Sequence, residues 1–585
     1  MKEEVNDLEH VKADILILGS GGAGLFAAHH AADKEPNLKI IVAAKGLIGK
    51  SGCTRMVQGG YNVVLHPDDS LEKHFRDTIK GGGGINDQEM AWTMVQDAPK
   101  RIRELETKMG VFFDRNKDGT IHQKPFAGQS FDRTVHRGDL TGIEIISRMR
   151  DQLYAKPNVI TWDEVRAIDL LLDNDRQCVA GCLMLNMQTG EFIVVHCKAV
   201  IVGTGGAATM YKIATPSLEK AGDGMAMCYR AGTEFLDMEM MQFHPTGLLA
   251  ENSRLNGGVL EEGLRGAGGY LVNSLGERFM KNYDSERMER STRDRVSRAA
   301  YMEIMAGRGT ALGGVYVDVS HLGKENVLKM FPGMVERCRD VGKDLSIEPV
   351  EISPAAHFQM GGVRVSKDCE SNINGLFVAG EDAAGVHGAN RLGGNGVCDS
   401  TVFGARAGDA VVTYVNNLKT AAKVSDSQVQ KIIEEIVEPF NCDGGENPFY
   451  IRNELKNLMW EKVGLVRNAN DLESSLEQLA ILEERIKQVS VKGSRRYNLT
   501  WQELLNVRNL LSVAKMVATS ALMRTESRGS HYREDYPESN DQDWLCNIFV
   551  TKKENGDDYY TVEKVKQTHI DIASIEGYKT LVDSK

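Results

Sequence analysis

Five cationic or imidazole side chains in this 585-residue chain fall in short polar clusters, most of them among glycines. They are His244 in QFHPTG (242–247), Arg265 in LEEGLRGAGG (260–269), Arg293 in STRDRVSR (291–298), His357 in HFQMGG (357–362) and Arg391 in HGANRLGGNG (387–396). Guanidinium groups grip carboxylates bidentately, and imidazoles pass protons. Taken singly, a loop histidine is a structural hydrogen-bonder and an arginine a surface charge; Arg293 also has ion-pair partners close by in Asp294 and Glu289. Taken together, the set has the composition needed to bind carboxylates and move a proton.

Such residues need a scaffold, and the apolar runs supply one. DILIL (14–18) reads as a buried parallel strand, GSGGAGL (19–25) as a tight turn, the next residues to Asp33 as a helix, and LKIIVAA (38–44) as a second strand. That is a βαβ unit. KAVIVGTGG (198–206) and NGLFVAGED (374–382) are further strands running into glycines, so distant segments are expected to assemble one doubly wound sheet. Gly19, Gly21 and Gly24 give GxGxxG at the mouth of the helix, with Gly22 in the same turn. The first glycine permits the turn, the second lets a pyrophosphate approach, and the third lets helix and strand pack. The acidic ribose ligand expected at the end of the second strand is missing, because Val42-Ala43-Ala44-Lys45 stands there. This weakens an NAD reading and leaves FAD, with Glu381 placed to bind a ribose or ribityl hydroxyl.

The fold expected is therefore α/β: a doubly wound FAD-binding domain (1–240 and 355–415) with an inserted domain (241–354) that has its own mixture of glycine turns and helical patterns. A helical domain (416–525) and a small C-terminal module (526–585) follow. Leu472, Leu476, Leu479, Leu482 and Ile486 form one apolar helix face, and Trp501–Met523 reads similarly.

Composition sets outer limits. With Lys+Arg 70 and Asp+Glu 82 the net charge is −12, so no broad basic field exists for nucleic acid. Ten cysteines without a CxxC pair point neither to a disulfide scaffold nor to a zinc or iron–sulfur ligand set, and no metal site is expected. The polar start MKEEVNDLEHVKAD and the lack of a long apolar run lead to an expected cytoplasmic location.

From GSGGAGL through KSGCTRMVQGG (50–60), FHPTG, EGLRGAGG, Arg293-Asp294, HFQMGG, FVAGED and HGANRLGGN to SRGSHYREDYPE (527–538), the chain resembles the flavoprotein subunit of fumarate reductase and succinate dehydrogenase, with L-aspartate oxidase as close kin. The resemblance implies fumarate–succinate interconversion at FAD, with the inserted 241–354 segment as an α+β capping domain over the flavin. His244, His357 and Arg391 would hold substrate carboxylates, Arg293 would deliver the proton, and Glu262 and Arg265 would relay it. Phe126 would lie against flavin or substrate, or simply pack in the core. Lys45, Ser51, Cys53, Thr54, Gly59, Gly60, Asp223 and Asn390 would join the glycine turn and Glu381 in holding FAD. An iron–sulfur subunit would exchange electrons, and membrane-anchor subunits beyond it would place the protein peripherally on the inner face of the cell membrane.

Two positions depart from the family pattern. Cys53 stands where relatives with covalent FAD carry histidine, so the flavin is expected to be non-covalent. Glu261 stands where relatives carry a threonine that donates to a substrate carboxylate, which an ionised Glu261 does not do. Glu261 then turns away, is protonated, or faces something other than a second carboxylate, such as the ammonium of aspartate. The alternatives are thus an L-aspartate oxidase, a reductase of another unsaturated carboxylate, or a non-catalytic electron-transfer flavoprotein.

Overall fold

The computed structural model describes residues 8–553 and 556–578; the outermost parts of the first and last sequence segments lie outside them. Five parallel strands form the central sheet in the order Leu376–Val378, Ala199–Val202, Ile15–Leu18, Ile40–Ala43 and Val159–Trp162. The three glycine-terminated strands lie side by side as the sequence suggests. Ile15–Leu18, Ile40–Ala43 and Ala199–Val202 are buried at every position, which is why they read as continuous apolar runs. Val159–Trp162, at the sheet edge, is only partly buried and has no glycine turn to announce it.

Helices Gly22–Lys34, Gln88–Thr107, Thr141–Leu153 and Asn395–Asn417 pack together beside this sheet. A second sheet, with Glu9–Lys12, Phe192–His196, Val179–Asn186 and Val165–Leu172 in that order, adjoins it. Two strands that dominate the next segment, Met241–Leu248 and Val350–Gln359, pair antiparallel; Val315–Asp318 and Tyr270–Val272 complete their sheet. Under it lies a separate hydrophobic core built from residues between Leu248 and Ile352, including Leu264, Phe279, Val296 and Val317.

Helices Pro448–Lys462, Ala469–Ile486 and Leu499–Met523 pack as a group. Leu472, Leu479, Leu482 and Ile486 bury the expected face, with Leu476 at its margin. The tail does not stand alone: the hairpin Cys546–Lys552/Asp558–Lys564 adds to Glu234–Leu236 and Gly362–Val363 in one antiparallel sheet. Buried arginines fasten it, Arg524 donating to Glu239 Oε1 at 2.6 Å and to Cys546 O at 2.9 Å.

Candidate active site

One continuous cavity runs from the carboxyl ends of the parallel strands to the Met241–Leu248/Val350–Gln359 pair. Its first end is backbone. Gly19 has φ +104°, and a Cβ there would sit 2.1 Å from Gly203 O. A Cβ on Gly24 would lie 2.0 Å from Gly19 O, so helix and turn meet without side chains. Gly24 thus packs beneath the wall, while Gly19, Gly21 and Gly22 form it. Thr54 Oγ1 accepts the Gly22 N–H at 2.9 Å, tying the 51–60 loop to the helix start. Ser51, Cys53, Gly59 and Gly60 from this loop also line the cavity.

Several expected cofactor ligands prove to be engaged with one another. Lys45 Nζ lies 2.5 Å from Asp223 Oδ2, and Arg166 and Asn509 each reach Asp223 Oδ1 at 2.7 Å. Burial opposes ionisation of Asp223, but Arg166 and Lys45 outweigh it and hold the carboxyl far below its usual range. Glu381 pairs with Lys220 and accepts the Gln359 N–H at 3.0 Å while still lining the cavity. Asn390 is not in the wall: it accepts from Gln242 Nε2 at 2.9 Å and donates to Asp294 at 3.0 Å, behind Arg391. Cys53 is half-buried; burial pushes its thiol up, with Lys220 pulling the other way.

The other end is built by irregular strand pairing. Gln242 pairs with Phe358 and Phe243 with Ala356, which leaves His357 as the extra residue of a β-bulge. A second irregularity follows His244. Bulges re-aim side chains, and here both imidazoles enter the cavity with ring centroids 5.2 Å apart. The Thr246 N–H points at His244 Nδ1 from 3.3 Å, so Nδ1 is the acceptor and the neutral ring carries its proton on Nε2. Thr215 Oγ1 holds His357 Nδ1 at 2.7 Å. Burial, then the nearby guanidiniums (Arg293 for His244, Arg391 for His357), lowers both imidazole pKa values well below the ordinary range.

Arg293 opens helix Arg293–Glu303, which Ser297 anchors to Phe243 O at 2.9 Å. Its competing local partners are taken elsewhere: Asp294 by Asn390 and Glu289 by Arg278. Arg293 instead places Nε and Nη2 2.8 and 2.7 Å from Glu262 Oε2. Arg265 Nη2 stands 3.6 Å from the other Glu262 oxygen. Burial disfavours the Glu262 anion, but Arg293 and Arg265 prevail and lower its pKa. Gln242 Oε1 accepts from both Arg293 Nη1 at 3.1 Å and Arg391 Nη2 at 3.0 Å, a bridge that sequence reasoning passed over. Strand alternation from His244 was the signal for it.

Arg391 rides a loop pinned by Asn62 Nδ2 to Gly393 O at 2.7 Å, and its guanidinium lies 4.4 Å over the Phe358 ring. Burial and Arg293 lower its pKa to about 9, and its Nε has no protein partner. Phe126 lines the cavity beside Gly59. Glu261 lines it too, with Lys124 Nζ 2.5 Å from its Oε1. Among the described residues no His, Cys, Asp and Glu side chains cluster as a metal site, and no helix is long and apolar enough to cross a membrane.

A glycine-walled nucleotide cleft opening onto buried arginines defines an FAD-dependent oxidoreductase: residues 14–397 match the family model described as FAD binding domain. Residues 452–577 match that described as fumarate reductase flavoprotein C-term. The chain belongs to the fumarate reductase and succinate dehydrogenase flavoprotein family. It is 42% identical over 551 residues to one chain of the fumarate reductase (CoM/CoB) of Methanothermobacter marburgensis, covering 93% of this chain and 98% of that one. An uncharacterized FAD-dependent oxidoreductase of Methanocaldococcus jannaschii is 44% identical over 543 residues, covering 93% and 97%. The Escherichia coli quinol fumarate reductase FrdA structure superposes with a TM-score of 0.92 at 32% identity, covering 97% of this chain and 99% of that one.

The cleft fits FAD. A Cβ on Gly19 or Gly24 would meet backbone at 2.1 and 2.0 Å, so the turn closes on its neighbours through backbone alone, and the helix beginning at Gly22 starts in the cavity wall, the helix end that favours a pyrophosphate.

Proposed function

We propose that this protein is the catalytic flavoprotein subunit of an enzyme interconverting fumarate and succinate. The observation that carries the reading is Arg293, held by two nitrogens on Glu262 with Arg265 behind, in a cavity shared with His244, His357 and Arg391. Arg391 and the neutral imidazoles hold the substrate carboxylates by N–H donation. Arg293 delivers a proton to the alkene carbon next to a carboxylate, and Glu262, backed by Arg265, returns it. Burial of these groups excludes water, which strengthens each charge–charge contact. FAD in its two-electron-reduced form, its electrons arriving through the iron–sulfur partner, would supply the hydride to the other alkene carbon, and the glycine turn, the 51–60 loop and Glu381 would hold it.

The flavin is held without a covalent bond, since a thiol stands where relatives with covalent FAD carry an imidazole, and burial pushes that thiol's pKa up. Acid precipitation should leave FAD in the supernatant; yellow flavin on the pellet would mean a thioether at Cys53. The 241–354 segment acts as a cap over the cavity, with 416–525 and 526–585 as helical and C-terminal units. The partner is an iron–sulfur subunit, with membrane association through further subunits. Purifying the native complex and assaying fumarate, succinate and aspartate with a redox dye tests the reading. Fumarate turnover is expected, together with an iron–sulfur subunit; a lone chain that releases peroxide from aspartate would replace it with the oxidase.

A further inference from the structure

Glu261 takes no part in the proton relay, yet its side chain is 4% exposed in the wall of the substrate end, adjacent to Glu262. A second acid in a pocket for a dianion repels its ligand, and an unpaired one attracts a ligand ammonium instead. Glu261 is not unpaired. Lys124 Nζ reaches its Oε1 at 2.5 Å, and this ammonium lies 5.7 Å from the centroid of the Phe126 ring. The two residues come from different parts of the fold. Lys124 sits in the short strand Gln123–Lys124, held by Thr134–Val135, whereas Glu261 lies in the segment with its own core between Leu248 and Ile352. Both backbone groups of Glu261 are fixed as well: its N–H points at Met334 Sδ from 3.3 Å, and its carbonyl accepts the Leu264 N–H at 3.1 Å. The carboxylate is therefore held in place for Lys124.

We propose that Lys124 is a specificity-determining residue: an internal ammonium that occupies Glu261 and so keeps the cavity selective for a dicarboxylate over an amino acid. This rests on the dicarboxylate reading of the site. It also explains how a carboxylate stands where the family pattern has a hydroxyl donor: the pair is neutral, and its charge is satisfied from within the chain. Burial pushes the Glu261 pKa up and Lys124 pulls it down, so removing Lys124 raises it further and, at a pH where the carboxyl is ionised, frees it to repel a substrate carboxylate or to accept a substrate ammonium.

The test is calorimetric binding of succinate and of L-aspartate to FAD-loaded protein, with the flavin spectrum reporting an intact cleft. Wild type should bind succinate and not aspartate. Lys124→Met should lose about tenfold or more in succinate affinity and gain aspartate binding. Lys124→Arg should keep the wild-type preference. Lys124→Met combined with Glu261→Gln should recover succinate without gaining aspartate, because no lone charge remains. Glu261→Gln alone, which spares the fold if Lys124→Met does not, should bind succinate at least as tightly as wild type. Lys124→Met with wild-type succinate affinity, a double variant as weak as the single, or a tenfold loss in Glu261→Gln alone would overturn the proposal. Wild type that binds no dicarboxylate would sink the parent reading, and this one with it.

Discussion

At the nucleotide end of the cavity the chain presents backbone, with Gly19, Gly21 and Gly22 in the wall and Gly24 packed beneath them. At the substrate end it presents buried charge: Arg293 on Glu262, Arg265 behind it, Gln242 bridging Arg293 to Arg391, and Lys124 on Glu261. The glycine turn is specified by space, the substrate end by balance, and the ion pairs Lys45–Asp223 and Lys220–Glu381 carry such balance into the cofactor end as well. A shape-defined site fails when an atom is added, whereas a charge-balanced one fails when a partner is taken away and the charge left buried alone is one that repels the ligand.

That difference can be broken experimentally. The largest effect is expected for Arg293→Lys. Lysine keeps the charge but not the fork that meets Glu262 and Gln242 together, and losing a positioned acid costs about 10²–10⁴-fold in turnover. Steady-state fumarate reduction at full FAD occupancy measures it, and near-wild-type turnover would take Arg293 out of the chemistry. Next come Arg391→Ala and His357→Ala. Removing one member of a buried carboxylate clamp should cost about 2–5 kcal/mol in substrate affinity while the flavin spectrum stays unchanged. Normal succinate binding in both variants would move the substrate elsewhere.

Gly24→Ala should act at the opposite end with the opposite readout. Its Cβ would lie 2.0 Å from Gly19 O, so backbone must shift, at a cost of about 1–3 kcal/mol. The loss should appear as lower FAD content per chain, with the charged cluster intact. If Gly24→Ala kept full FAD, or Arg391→Ala shed it, the division between the two ends would fail.

The same contrast explains what was legible in the sequence. A glycine turn is a local demand, so Gly19, Gly21 and Gly24 announce themselves within six residues, directly after an apolar strand. The flanking elements were readable for the same reason, down to helix Gly22–Lys34. Charge balance is non-local. Lys124 meets Glu261 across 137 residues and Lys220 meets Glu381 across 161, and no spacing signals either pair. The bulge that aims His357 depends on how two distant strands register, which periodicity does not encode. Asn390 shares its motif with Arg391, but its side chain turns to Gln242 and Asp294, partners that no local spacing signals.

The most direct test of the central claim needs only this chain loaded with FAD. The protein is reduced anaerobically with a low-potential dye, freed of excess reductant, and mixed with fumarate in a stopped-flow spectrometer. Oxidised-flavin absorbance should return with one succinate formed per flavin, and in Arg293→Lys the same return should be slowed by about 10²-fold or more. Reduced flavin that persists in the presence of fumarate, or that reoxidises as quickly in Arg293→Lys as in wild type, would contradict the claim.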